Sequence, residues 1–304
     1  MPYAVFLLLV GIGAATQFFG GQPQAPAVVL PALMDLTPPP IPATVMHIPD
    51  EVTAESVLIG NLSTGEIYAS RAPERLAPIA SLTKLFLAHA ALNLMPPESE
   101  IEIPEKAVRE EGNQGDLKIG ERFRLVDLTR LMLTSSSNDA AAALGTAVHT
   151  AWNNGHPDAQ ARSAASVLNR LLLDMGLEHT FFQNVTGLDD GDVATNYSSA
   201  GDLFSFARHT YPTPIVWELA REPRVIILST DGATHAVSHT YPMIGTLHNV
   251  IGAKTGTTDQ AKESLIILLE SPVGRPLAII ILGSEFDKRI ADAELLLHTN
   301  NLAY

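Results

Sequence analysis

The chain has 304 residues, of which 46% are hydrophobic, and its 33 acidic and 19 basic side chains give a net charge of −14 at pH 7. This length and apolar content suffice for one large globular domain or two small ones. The negative charge argues against nucleic-acid binding, because the neutralisation of phosphates requires clustered Lys and Arg. Without cysteine, the chain has neither a disulfide framework nor a thiolate metal site.

Residues 1–20 have the character of a targeting segment. The run AVFLLLVGIGAA at 4–15 is apolar over the length of a signal-peptide core. Gly13 and Ala15 are small residues of the kind found at signal-peptidase sites, and the stretch 2–19 just reaches the ~18 residues of a membrane span. We therefore predict an exported, periplasmic or cell-surface protein. Its residues 1–20 are either cleaved as a signal peptide or kept as a membrane anchor.

Residues 21–50 are crowded with proline and show neither a helical nor an alternating pattern. Such a segment is expected to lie extended and solvated, as a semi-rigid spacer. We therefore predict a Pro-rich linker at 21–50 and one folded domain at 51–304.

Strand patterns occur at both ends of this domain. Two short apolar runs at 57–62 and 67–70 flank turn residues and predict a β-hairpin. Further strands are predicted at 225–228, 234–238, 252–258, 264–269 and 277–282. A last amphipathic helix is predicted at 287–297. We expect the N- and C-terminal strands to share one sheet.

The middle of the domain is predicted to be helical. Apolar periodicity places helices at 81–94, 125–133, 139–148, 159–175, 199–209 and 213–222. Together with the strands at both ends, this predicts an α/β domain with an all-helical part between its strands.

Ser81 and Lys84 form the first pair of residues with a chemical interpretation. Residues three apart on a helix are neighbours, so the lysine amine can reach the serine hydroxyl. The lysine accepts the serine proton only if its pKa, about 10.4 when free, is lowered by burial or by a second cation. Taken alone, the pattern is more often an N-cap serine followed by a solvated lysine.

A polar stretch, TSSSN at 134–138, interrupts two predicted helices. Ser136 and Asn138 could present a hydroxyl and an amide to a cleft, or Ser137 or Asn138 could simply cap the second helix.

His235 and His239 are four residues apart, a spacing that binds zinc when it lies on a helix. They lie in a predicted strand, so we predict no metal site there.

The predicted strand at 252–258 contains Lys254, Thr255 and Gly256. The lysine supplies positive charge that can bind a substrate carboxylate, and the glycine allows an acyl group to lie against the strand backbone. The N–H of Thr257 can then point at a developing oxyanion. Alone, the motif is equally typical of a strand with an exposed lysine.

Ser81-x-x-Lys84, Ser136-x-Asn138 and Lys254-Thr255-Gly256 occur in this order. In this order they resemble the motifs of penicillin-binding proteins and class A β-lactamases. Over 51–297 the sequence is similar to the D-alanyl-D-alanine carboxypeptidases, notably at 131–144, 167–190 and 252–261. The resemblance implies a β-lactamase/transpeptidase-like α/β fold. In that fold an antiparallel sheet is flanked by N- and C-terminal helices and joined to an all-helical subdomain.

The resemblance also implies an activity: removal of the terminal D-alanine from peptidoglycan stem peptides through an acyl-enzyme, without metal or organic cofactor. It implies inhibition by β-lactam antibiotics. In this interpretation Ser81 is the acylated nucleophile, its own N–H serves the oxyanion hole, Lys84 is the base, and Ser136 relays a proton to the leaving amine.

Five further residues are implied to bind the substrate. Asn138 would hold the substrate amide, and Lys254 and Thr255 would bind the terminal carboxylate, with Lys254 remaining charged. Gly256 would leave room beside the strand, and the N–H of Thr257 would complete the oxyanion hole.

The sequence departs from the family pattern at two positions and leaves rival functions open. Lys262 and Ser137 stand where the family usually has glycine. The alternatives are a D-alanyl endopeptidase of the same family, a class A-like β-lactamase, and a catalytically inactive muropeptide-binding protein. The β-lactamase is disfavoured because 167–190 lacks a Glu-x-x-x-Asn arrangement for the hydrolytic water, and the complete catalytic set disfavours the inactive protein.

Overall fold

The structure, a computed structural model, describes residues 46–112, 115–271 and 275–302. The targeting segment predicted at 1–20 and most of the spacer predicted at 21–50 lie outside the described residues. Residues 46–50 contact the domain: the Met46 N–H donates to the Tyr68 carbonyl at 3.4 Å, and the Pro49 carbonyl accepts from the Arg71 guanidinium at 3.0 Å. The folded domain therefore includes these last five residues of the predicted spacer.

Strands and helices are numbered separately in chain order within the described residues. The strands are β1 (Ser56–Asn61), β2 (Ile67–Arg71), β3 (Ala77–Pro78), β4 (Glu100–Glu102), β5 (Arg122–Arg124), β6 (Tyr197–Ser198), β7 (Arg224–Leu228), β8 (Thr234–Ser238), β9 (Val250–Thr258), β10 (Lys262–Glu270) and β11 (Pro276–Ser284). The helices are α1 (Thr83–Leu94), α2 (Glu105–Val108), α3 (Leu125–Ser135), α4 (Asn138–Gly155), α5 (Ala164–Met175), α6 (Ala200–Thr210), α7 (Ile215–Leu219) and α8 (Arg289–Thr299).

The main sheet has the antiparallel strand order β2-β1-β11-β10-β9. Strands from the two ends of the domain therefore share one sheet, as the sequence predicts. Leu58 lies opposite Ile280, and Ile59 lies opposite Ile279. Because side chains alternate along a strand, the first pair packs into the core formed with the helices, and the second packs into a separate core that contains α8 residues. Burial on both faces explains the unbroken apolar runs at 57–59 and 277–282.

The predicted flanking helices have different outcomes. The C-terminal helix is α8, which packs on the face of the sheet opposite the helical part. Residues 46–55, which precede β1, contain a turn and no helix, and residues before 46 lie outside the described part. No helix among the described residues is both long enough and apolar enough to cross a membrane.

Several element boundaries differ from the sequence predictions. The predicted helix start at 159 is wrong: α5 begins at Ala164, where the Ser163 hydroxyl caps it by accepting from the Ser166 N–H at 3.2 Å. The helix predicted at 213–222 is reduced to α7, with Pro214 as its N-cap residue. Strands β7 and β8 form a separate two-stranded sheet and do not extend the main one.

Candidate active site

Ser81 lies in a short 3₁₀ turn, Ala80–Leu82, immediately before α1. Two glycines press on this turn. A Cβ atom built on Gly256 would lie 2.7 Å from the Ile79 carbonyl oxygen, and one on Gly187 would lie 2.0 Å from the Ala80 carbonyl oxygen. Ala80 itself has a left-handed φ of 47°, a conformation that costs energy outside glycine. The packing therefore fixes the backbone of the serine from two sides.

Lys84 is fully buried beneath Ser81. Its Nζ lies 2.8 Å from Ser81 Oγ, 2.7 Å from Asn138 Oδ1 and 2.5 Å from the Thr186 carbonyl oxygen. A neutral amine has two hydrogens and one lone pair, so it can donate to the amide and carbonyl oxygens and accept the serine proton. Burial lowers the pKa of Lys84 to about 7, although the nearby charge of Asp139 opposes this shift.

The turn between α3 and α4 resolves the two interpretations of 134–138. Ser137 is the N-cap of α4, since its hydroxyl accepts from the Ala140 N–H at 3.1 Å. Ser136, the residue after α3, has a left-handed φ of 61°. The chain therefore bends at Ser136 before α4 begins. Ser136 and Asn138 line the same cavity as Ser81. The cap interpretation is therefore confirmed for Ser137, and the cleft interpretation is confirmed for Ser136 and Asn138.

Asn138 connects Lys84 to the loop that precedes β5. Its Oδ1 accepts from Lys84, and its Nδ2 donates to the Glu111 carbonyl oxygen at 2.6 Å. One amide hydrogen and one oxygen lone pair are not used by these bonds. The side chain is therefore held rigidly and can still pair with a substrate amide.

Lys254 is the second fully buried lysine of the site. Its Nζ donates to Ser136 Oγ at 2.8 Å and to the Thr255 carbonyl oxygen at 2.7 Å. Burial holds its pKa well below the usual range, and the positive charges of Lys84 and Arg289 lower the pKa further. This direction runs against the sequence-based expectation that Lys254 remains charged to hold the substrate carboxylate.

A cavity of about 280 Å³ joins these groups. It is lined by five of the residues predicted from sequence, namely Ser81, Ser136, Asn138, Thr255 and Thr257. Lys84, Lys254 and Gly256 lie buried directly behind this lining. The sequence motifs therefore predict the composition of one polar cavity, although they lie far apart along the chain.

Four other lining residues, Gly112, Ser135, Thr240 and Arg289, were missed by the sequence motifs. The Arg289 guanidinium donates to the Gly256 carbonyl at 3.0 Å and to Thr257 Oγ1 at 2.8 Å. Sequence periodicity predicted the helix that begins there, but nothing in that pattern indicates that its first side chain turns back to β9.

Arg289 and Thr240 complete the strand side of the cavity. Arg289 pairs with Glu263 at 3.3 Å, and burial lowers the pKa of the guanidinium. The hydroxyls of Thr240 and Thr255 are 2.6 Å apart. Arg289, Lys254 and the two threonine hydroxyls form a cluster of basic groups and hydroxyl donors. Such a cluster suits a carboxylate ligand.

Sequence comparison identifies the family. The family model described as D-alanyl-D-alanine carboxypeptidase matches residues 43–285, which include all three motifs. The chain belongs to the D-alanyl-D-alanine carboxypeptidase family. The assignment confirms the resemblance inferred from the motifs.

Individual relatives of this carboxypeptidase-family protein carry two activity names. It is 26% identical over 252 residues to a D-alanyl-D-alanine endopeptidase of Pseudomonas aeruginosa, covering 81% of this chain and 76% of the relative. It is 26% identical over 225 residues to the D-alanyl-D-alanine carboxypeptidase DacB2 of Mycobacterium tuberculosis, covering 74% and 73% of the two chains.

Solved structures agree on the fold. Penicillin-binding protein D2 of Listeria monocytogenes, in its ampicillin-bound form, superposes with a TM-score of 0.68 and 25% identity. The match covers 82% of this chain and 98% of the other. The structure of the carboxypeptidase-family protein therefore confirms the penicillin-binding-protein fold that the sequence predicts.

Lys262, which departs from the family pattern, is the first residue of β10, directly after the turn that follows β9. Its φ is 53°, a left-handed value that glycine adopts without strain. Its Nζ lies 2.7 Å from Glu55 Oε1. The lysine therefore occupies a backbone conformation suited to glycine, and its ion pair offsets part of the cost.

Proposed function

We propose that this protein is a serine-type D-Ala-D-Ala carboxypeptidase that removes the terminal D-alanine from peptidoglycan stem peptides. The observation that carries the proposal is the Lys84 amine, whose pKa is about 7, at 2.8 Å from the Ser81 hydroxyl. An amine with this pKa is largely neutral slightly above pH 7, so it can remove the serine proton as attack proceeds.

The reaction follows from the positions of the groups. Ser81 Oγ attacks the carbonyl of the penultimate D-alanine as its proton passes to Lys84, and the oxyanion is held by the N–H groups of Ser81 and Thr257. The C–N bond then breaks as Ser136 gives a proton to the departing amine, and Ser136 is resupplied with the proton that Lys84 took from Ser81. Water attacks the resulting ester and gives a proton to Lys84, which passes it to Ser81 Oγ as the C–O bond breaks and the shortened peptide leaves.

Recognition of the substrate's free carboxylate falls to the strand side of the cavity. Lys254 and Arg289 supply positive charge, and Thr255 and Thr257 supply hydroxyl donors. An arriving carboxylate stabilises the ammonium form of Lys254, because an opposite charge nearby favours the charged form. Substrate binding therefore favours the charged form of Lys254 that the sequence predicts.

Covalent labelling tests the acyl-enzyme. Intact-mass spectrometry after exposure to benzylpenicillin should show one drug equivalent on the wild type and none on Ser81→Ala. A wild type that stays unlabelled would overturn the proposal, and rapid drug turnover would instead support the β-lactamase.

The D-alanyl endopeptidase is the second candidate, favoured by the Pseudomonas aeruginosa relative of that name. The two activities differ in what leaves: free D-alanine or a second peptide. Mass spectrometry of products from defined monomeric and cross-linked muropeptides distinguishes them. Release of D-alanine from the monomeric muropeptides, with the cross-links of the other muropeptides left intact, supports the carboxypeptidase.

We also propose that the protein is exported, because its substrate lies outside the cytoplasm and because residues 1–20 have signal-like character. Fractionation of cells that express the full chain should place it outside the cytoplasmic fraction. Release from membranes by high salt or only by detergent would distinguish a cleaved signal from an anchor.

A further inference from the structure

A second cavity, of about 340 Å³, lies along α4, and we call it the α4 groove. Ala142 in its lining is one helical turn beyond Asn138. Glu110, also in its lining, precedes Glu111, whose carbonyl oxygen accepts from Asn138 Nδ2. The groove therefore lies next to the Asn138 side of the active-site cavity along two chain segments.

A further chain segment of the groove lining, at Val185, is adjacent to the same site. Val185 lines the groove and directly precedes Thr186, whose carbonyl oxygen lies 2.5 Å from Lys84 Nζ. Two chain segments besides α4 thus run from the catalytic groups into the groove.

The dimensions of the groove fit a short peptide. Its lining follows α4 from Ala142 to His149. At 1.5 Å per helical residue these positions lie roughly 6 to 17 Å beyond Asn138. An extended peptide advances about 3.3–3.6 Å per residue, so the groove would hold the residues roughly two to five positions from a group bound at Asn138.

The direction of the substrate favours this groove. In the proposed function the terminal carboxylate lies against Lys254 and Arg289, and the reacting carbonyl lies at Ser81. Asn138 holds the amide that precedes this carbonyl. The rest of the peptide therefore leaves on the Asn138 side, where the α4 groove begins.

The groove carries cations that have no partner among the described residues. Lys106 and Arg162 line it with exposed side chains, and within the described part of the chain neither has a carboxylate within 4.0 Å. His149 Nε2 is engaged with the Ala161 carbonyl oxygen at 2.9 Å. Glu110 is the acidic residue of the lining. In a chain with a net charge of −14, a groove with excess positive charge attracts anionic groups.

We propose that the α4 groove is a subsite for an acidic peptide, in which Lys106 and Arg162 bind a carboxylate carried roughly two to five residues before the scissile bond. The proposal rests on the proposed function and adds a specificity determinant to it. Glu110 reduces the attraction, so the subsite selects through the balance of these three charges.

Three peptides test the subsite. The first is diacetyl-L-Lys-D-Ala-D-Ala, which is too short to fill the groove. The second and third are acetyl-L-Ala-γ-D-Glu-L-Lys(acetyl)-D-Ala-D-Ala with a free glutamate α-carboxylate or with its carboxamide. The wild type should show a KM about fivefold lower for the acid than for the amide, as expected for partly exposed ion pairs.

Variants assign the effect to the groove. Arg162→Glu and Lys106→Glu should each raise KM for the acid peptide about fivefold, with kcat and the other two peptides changed less than twofold. Glu110→Gln should lower KM for the acid peptide. Arg170→Glu is the matched control, because Arg170 is also exposed, lies on α5 and does not line the groove. An equal KM increase in this control would overturn the subsite, since the effect would then reflect net charge.

The subsite and the proposed function can fail separately. Equal KM values for the acid and the amide, with normal hydrolysis of the short peptide, would overturn the subsite and leave the carboxypeptidase intact. Absence of hydrolysis of every peptide would overturn the carboxypeptidase. In that case calorimetric binding of the two long peptides to Ser81→Ala tests the subsite alone: about fivefold tighter binding of the acid supports it, and equal binding overturns it.

Discussion

The active site holds two buried lysines, Lys84 on the helical side and Lys254 on the strand side, and each amine lies 2.8 Å from a serine hydroxyl. Their charge surroundings differ. Lys84 lies near Asp139, which raises its pKa against the effect of burial, whereas Lys254 lies near two further cations that lower its pKa. Two lysines with similar geometry are thus prepared for different roles. The first can exchange a proton near pH 7, whereas burial and two neighbouring basic groups disfavour the charged form of the second.

The largest expected effect comes from removing the helical lysine. Lys84→Ala should reduce the rate of acylation by fluorescent penicillin at least about 1000-fold, because general bases contribute factors of this order. The loss should be the same for substrates with and without a free carboxylate. An acylation rate within tenfold of wild type, with an unchanged circular dichroism spectrum, would show that the two lysines do not differ in the way described.

Removing the strand lysine should produce a loss that depends on the substrate. Lys254→Ala should reduce kcat/KM about 100-fold for peptides ending in a free carboxylate, in the range for truncating one partner of a buried charge pair. Peptides with an amidated C-terminus should lose much less. Paired acylation kinetics on acid and amide peptides measure the difference. Equal losses on both would mean that Lys254 only tunes Lys84.

The pH dependence sharpens the comparison without removing either lysine. Lys84 acts as a base when neutral, so acylation of the wild type should increase with pH through about 7, its pKa. Asp139→Asn removes the charge that raises this pKa, so the midpoint should move to lower pH. Acylation rates from pH 5 to 9 measure both midpoints, and coincident profiles would refute the assigned role of Asp139.

The smallest effect concerns the turn that joins β9 and β10. Lys262→Ala and Lys262→Gly both remove the ion pair with Glu55, but only glycine adopts the left-handed φ freely. The glycine variant should therefore be up to about 1 kcal/mol more stable than the alanine variant, with acylation unchanged in both. Thermal unfolding measures the difference, and a less stable glycine variant would show that loss of chain freedom outweighs the relief of strain.

The composition of the site could be predicted because each motif carries its own chemistry. Ser81 and Lys84 are neighbours through helical geometry alone, and Lys254 and Gly256 have their roles through strand geometry. The order of the three motifs along the chain matches a known family pattern, and this was sufficient to predict that they form one site. The structure confirms that residues of all three motifs line one cavity.

Features that depend on tertiary packing could not be predicted. Arg289 reaches the site because α8 packs against the main sheet, and no local pattern encodes this. The start of α5 was misjudged because apolar periodicity continues through 159–163, whereas the capping geometry of Ser163 sets the boundary. The lowered pKa of Lys254 depends on burial and on the charges of Lys84 and Arg289. These residues are far from Lys254 along the sequence, and only the folded site brings them close to it.

The strand order of the main sheet has a consequence for how the protein is made. Strand β1, which emerges from the ribosome first, pairs with β11, the last strand of the sheet. Ser81 and helix α1, which contains Lys84, are synthesised long before β9 and Arg289. Such non-local pairing delays folding, because distant segments must meet before their contacts stabilise each other. A nascent chain that stops before β11 holds its nucleophile but not its central strand, so activity should be acquired only when the sheet closes.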